Sequence, residues 1–197
     1  GPNGSISPSG SVSANHFSTP SFHFTPSTGY HIDSVIVDGT SQAVDTSYTF
    51  ASIDANHTIR VTFAINAYII VASSGPNGSI SPSGSVSVNH FSTPKFTFTP
   101  ETGYHVDSVI VDGTSQAVDT SYTFASIASG HTIRVTFAIN TYIIAATAGP
   151  KGSISPSGNF VATYGSTPSF TIQADADYHV DSLRVDAPLQ LERETPS

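Results

Sequence analysis

Three His-x-Asp pairs, His31/Asp33, His105/Asp107 and His179/Asp181, are the residues whose types and spacing come nearest to chemistry. On a β-strand, residues two apart share a face, so an imidazole and a carboxylate stand together and offer two ligands to a metal ion. Two ligands do not make a tetrahedral site. His57 or His131 are candidates to join, but no spacing requires it, so the pairs are read first as exposed or cross-strand hydrogen-bonding groups and only second as metal ligands. Calcium suits the acidic balance of the chain, yet no D-x-D-x-D-G loop occurs, and no cofactor is expected.

Catalysis finds less support. A serine nucleophile needs a poised histidine and acid, and G-x-S-x-G is absent. A mechanism copied almost unchanged along one chain would also be unusual, so the chain is read as non-enzymatic with no catalytic residue. Asn-x-Ser/Thr matches at Asn3, Asn56 and Asn77 are read as turns rather than glycosylation acceptors.

The elements that must position these residues recur. GPNGSISPSG begins at Gly1 and again at Gly75, and GPKGSISPSG begins at Gly149, a constant spacing of 74 residues. A fixed period of this kind outranks any short motif. It divides the chain into repeat 1 (residues 1–66), repeat 2 (67–140) and repeat 3 (141–197). The complete repeat opens on Tyr68–Ser73, a β-branched strand. Pro76-Asn77-Gly78 is expected to turn the chain back on itself with positive φ at Asn77 and Gly78. The short strand Ser79–Ser81 follows, then Pro82-Ser83-Gly84 as a second turn, and Ser85–Val88. Lys95–Thr99 puts Phe96 and Phe98 on one face. In Tyr104–Val111 the alternation slips near Ser108, which suggests a bulge or a strand covered on both sides. Asp112-Gly113 turns the chain, and Ser121–Phe124 and His131–Phe137 close the repeat. No stretch reads as an amphipathic helix. The fold class expected is all-β, a tandem array of small antiparallel sandwich-like domains.

Comparison of the copies separates fold from surface. Copies one and two differ at 12 of 74 positions, at outward or loop sites such as Ser21/Lys95 and Ser27/Glu101. The third copy has Asp177 for Gly103 and Ala187 for Gly113, and its pattern stops after Asp186. Phe17 and Phe91 become Gly165 there. These two phenylalanines are candidates for contacts between repeats or with a partner, although loop-anchoring core is the reading given more weight. Leu189 and Leu191, in the divergent end of copy three, are further interface candidates.

Composition narrows the remaining choices. Six Lys and Arg against fourteen Asp and Glu give a net charge of −8 with no basic patch, which argues against nucleic acid. No apolar run approaches the ~18–20 residues that cross a bilayer, so no membrane insertion is expected from this segment, and any signal or anchor is expected outside it. There is no cysteine, so each repeat must be held by its own core and its neighbours.

The sequence motifs carry a family resemblance. A Tyr-Ile-Ile strand, G-x-I-S-P-S-G, a F-T-F-T-P strand, G-Y-H-x-D-S-V-I-V-D-G and a closing T-I-R-V-T-F-A strand resemble the divergent internalin-type B-repeats of bacterial surface proteins. The resemblance implies an extracellular or cell-surface all-β module that serves as spacer, adhesin or attachment unit, with no catalytic residues. Because repeats meet across Ile-Asn with no flexible linker, a rod is expected. Missing strands at both terminal repeats suggest head-to-tail self-association by strand complementation. The alternative is an adhesin or enzyme-appended module that binds glycan or another surface ligand, a reading weakened by the absence of Trp.

Overall fold

The computed structural model describes residues 2–185. They form two compact units, one running to Glu101 and including Val106–Ala138, the other made of Thr102–His105 and the chain from Ile139 onward. The fold is all-β, with several small antiparallel sheets and no helix among the described residues.

In the first copy the strands are β1 (Gly4–Ser7), β2 (Ser21–Pro26), β3 (Tyr30–Val37), β4 (Thr40–Gln42), β5 (Ser47–Thr49) and β6 (Ile59–Ile65). They make two three-stranded sheets, β1-β2-β5 and β4-β3-β6. The alternation of β2 buries Phe22 and Phe24, and these pack on Val35, Val37 and Val61 from the other sheet. The expected slip in alternation is a bulge: Ile32 pairs with Phe63 and Ser34 with Thr62, leaving Asp33 as the extra residue.

In the middle copy they are β7 (Ala67–Ser74), β8 (Gly78–Ser81), β9 (Gly84–Asn89), β10 (Lys95–Pro100), β11 (Tyr104–Val111), β12 (Thr114–Gln116), β13 (Ser121–Thr123) and β14 (His131–Ile139). One sheet runs β13-β10-β8 and the other β12-β11-β14-β7-β9. β7 inserts Ile70 into the core, where it is fully buried among Phe96, Val109 and Val135. Burial of a side chain such as Ile70 contributes about 1.5–3 kcal/mol.

Three local expectations are corrected. β7 and β14 run parallel, His131 opposite Ile70, within otherwise antiparallel pairings. The Asn77-Gly78 step does not return the chain alongside β7; β8 joins the opposite sheet. Only Asn77 has positive φ there (67°), and Gly78 serves a different need, since a Cβ on it would lie 2.5 Å from the Phe137 ring. The short strand β12, paired with β11 across Asp112-Gly113, was not anticipated, because Thr114–Gln116 carries no apolar alternation.

The third copy holds β15 (Thr141–Ala146), β16 (Gly152–Ser155), β17 (Gly158–Thr163) and β18 (Thr171–Ala174), paired β15-β17 and β16-β18. Ile172, at the position of Phe98, is 38% exposed where Phe98 is 4%. Residues 178–185, at the position of β11, form no strand. Leu189 and Leu191 lie outside the described residues.

Candidate functional site: the junction between repeats

One residue, Asn66, separates β6 of the first copy from β7 of the second. Its backbone N–H donates to the Gly29 carbonyl at 2.8 Å, and its own carbonyl accepts from the His90 N–H at 2.8 Å. Its side-chain Oδ1 lies 2.9 Å from His31 Nδ1. An amide oxygen only accepts, so Nδ1 of His31 carries the proton. A single asparagine thus ties the turn before β3, the strand β3 and the loop after β9.

Gly29 completes the seat. Its φ of 81° is a conformation that side chains disfavour, and a Cβ placed on it would stand 2.6 Å from His90 Cδ2 and 2.9 Å from Phe91 Cε2. Both reasons require glycine. His90 is 9% exposed, with its ring centroid 4.0 Å from that of Phe91 at 87°, and its Nδ1 is 3.4 Å from the Tyr68 hydroxyl.

The second unit repeats the same arrangement with one exchange. Asn140 N–H donates to Gly103 O, Tyr164 N–H donates to Asn140 O, each at 2.8 Å, and His105 Nδ1 donates to Asn140 Oδ1 at 2.8 Å. Tyr164 stands where His90 does, and a Cβ on Gly103 would meet its Cδ1 at 2.1 Å. The aromatic body is kept and the imidazole is not.

The His-x-Asp pairs are split between partners. His31 and His105 reach the junction asparagines. Asp33, the bulge residue, and Asp107, its equivalent in the middle copy, each accept from a cross-strand threonine, Thr62 Oγ1 at 2.8 Å and Thr136 Oγ1 at 2.9 Å. Because each threonine spends its one proton on the aspartate, the 2.6 Å contacts of Ser34 with Thr62 and Ser108 with Thr136 have serine as donor. His179 and Asp181 lie in the strandless stretch 178–185. Among the described residues no three His, Asp or Glu are grouped to hold a metal ion.

A second His–Asp pairing links residues that sequence reading had left apart. His57 Nδ1 meets Asp38 Oδ2 at 2.7 Å, and His131 Nδ1 meets Asp112 Oδ2 at 2.6 Å. Asp38 Oδ1 also accepts from the Thr58 N–H at 2.7 Å, and Asp112 Oδ1 from the Thr132 N–H at 2.7 Å. The hydrogen bond from His57 is the chief cause that holds the Asp38 carboxyl below its usual value. At Asp112, partial burial pushes upward, and the bonds from His131 and Thr132 together outweigh it. The signal available in the sequence was the recurrence of Asp-Gly and His-Thr at one separation in both copies.

Phe17 and Phe91 are not core. Phe17 is 70% exposed and Phe91 52%, and both have positive φ, 63° and 65°. Neither ring anchors its loop from a core: Phe17 is exposed, Phe91 lies over Gly29 of the preceding copy, and the loops are held by backbone bonds, Phe17 N–H to Ile53 O and Phe91 N–H to Ile127 O.

Small β-modules joined through one residue and fixed by a recurring asparagine-glycine clamp define a tandem β-repeat protein. Residues 68–141 match the family model described as the divergent InlB B-repeat domain. The family is a bacterial surface repeat module and not an enzyme family. No curated protein and no solved structure matches the chain.

Proposed function

We propose that the chain is a non-enzymatic spacer segment of an extracellular or cell-surface bacterial protein, in which successive B-repeats are held in line as a stalk. The observation that supports this reading is the clamp: Asn66 with Gly29 and Asn140 with Gly103 make the same three hydrogen bonds where a flexible linker would make none. Small-angle scattering of the full chain tests it. A single elongated particle is expected; scattering that requires an ensemble of repeats tumbling independently would sink the proposal.

A second reading has its own observation. A groove in the first copy, lined by Val12, Phe22, Phe50, Ile53 and Ile59, lies along the start of β6. In the middle copy Ile70 of β7 fills the corresponding core, with β7 paired to β14. A strand of the β7 type supplied by another molecule would complete the first copy and link chains head to tail. Electron microscopy across a concentration series checks this: filaments that lengthen with concentration are expected, and isolated particles at every concentration would exclude them.

A further inference from the structure

We infer that the exposed His16–Phe17 pair is a docking knob for another B-repeat, one that carries glycine at the turn position held here by Gly29 and Gly103. The inference rests on the spacer reading and names the partner chemistry that each repeat accepts.

The argument starts from backbone strain. A phenylalanine at φ 63° occupies a region that bulky side chains avoid, and such strain persists where a contact repays it. The third copy shows that the loop does not need the ring, since Gly165 takes φ 76° at the same place. In the second copy the contact is visible: the Phe91 and His90 rings close over Gly29, and the His90 N–H is bonded to Asn66 O. In the first copy the same two residues are exposed, and the rings have folded onto each other at 3.7 Å and 32° instead of the edge-on arrangement of His90 and Phe91. The pair that covers Gly29 in the second copy is thus exposed in the first.

The seat is selective. Gly29 and Gly103 are close-packed under their aromatic rings, so any Cβ there collides with the knob. Asp177 occupies the equivalent turn position of the third copy, with φ 66°. A second copy of this chain therefore offers no open seat: two glycines are covered by its own next repeat and the third position bears a side chain. The occupant is a repeat with an uncovered Gly-Tyr-His turn and the asparagine connector that follows it.

The test compares the full chain with the full chain lengthened by one added copy of residues 1–74 ahead of Gly1, by amide hydrogen exchange. In the lengthened chain, exchange at His16 is expected to slow at least tenfold. Gly29→Asp made only in the added copy, which keeps its β7-type strand but closes the seat, should restore most of that exchange in the lengthened chain. Equal His16 exchange in both chains, or protection that survives Gly29→Asp, would overturn the inference. So would protection that grows with concentration of the unlengthened chain, since that assigns the surface to a second copy. The His90 amide reports the existing junction independently: if it exchanges freely in the original chain, the spacer reading fails, whereas protection at His90 without protection at His16 defeats the docking inference alone.

Discussion

At the scale of single residues, the chain uses its histidines and aspartates to fasten loops. Asp38 and Asp112 sit at tight turns with positive φ, 48° and 49°, and gather the histidine and threonine that lead into the next strand. Their carboxyls are held below the ordinary aspartate value, chiefly by the histidine and threonine hydrogen bonds, so the folded state binds the proton less readily than the unfolded one. The stabilisation is fully present above that unfolded value and is lost as pH falls through the lower folded value. Thermal unfolding followed from pH 5 to pH 2 should show a steep acid loss that becomes shallower in the Asp38→Asn, Asp112→Asn double variant. An unchanged slope would mean the pairs do not contribute. At the junctions, Asn66→Ala removes the acceptor of His31 while keeping both backbone bonds. A loss of about 0.5–1.5 kcal/mol is expected, read from denaturant midpoints.

At the scale of elements, the contrast between copies two and three shows how much a strand depends on its neighbour. β10 and β18 occupy equivalent positions, but Phe98 is enclosed by a second sheet and Ile172 is not. Phe98→Ala should cost about 3–5 kcal/mol, as expected for a large side chain removed from a closed core. Ile172→Ala should cost under about 1 kcal/mol, as at other open sites. Chemical denaturation of the two variants distinguishes them, and equal losses would show that the third copy has a closed core after all. The turn before β11 carries the other element-scale prediction. Gly103→Ala forces a side chain into φ 86° and against Tyr164, at a cost of roughly 1–2 kcal/mol from the backbone alone. Faster exchange of the Tyr164 amide, whose acceptor is Asn140, is the local signature.

At the scale of the whole molecule, the all-β class and the likeness of the middle copy to the B-repeat family are legible in the sequence. Apolar alternation such as Phe96/Phe98 encodes a half-buried strand wherever it occurs, and the 74-residue spacing of the GSISPSG segment places equivalent strands in register. Tertiary structure decided the rest. The parallel pairing of β7 with β14 joins segments some sixty positions apart, and alternation carries no information about which distant strand lies alongside. For the same reason the partners of His57, Asp33 and Asn66 appeared only when the strands were assembled. The exposure of Phe17 was hidden as well: an aromatic residue in a loop reads as an anchor, and only the fold shows that no core lies beneath it. Sequence by itself determined which segments would become strands and where they would repeat, because those follow from local periodicity and turn chemistry. The pairing of strands and the clamp between repeats required the fold, because hydrogen-bond partners and close-packed seats are set by approach in space.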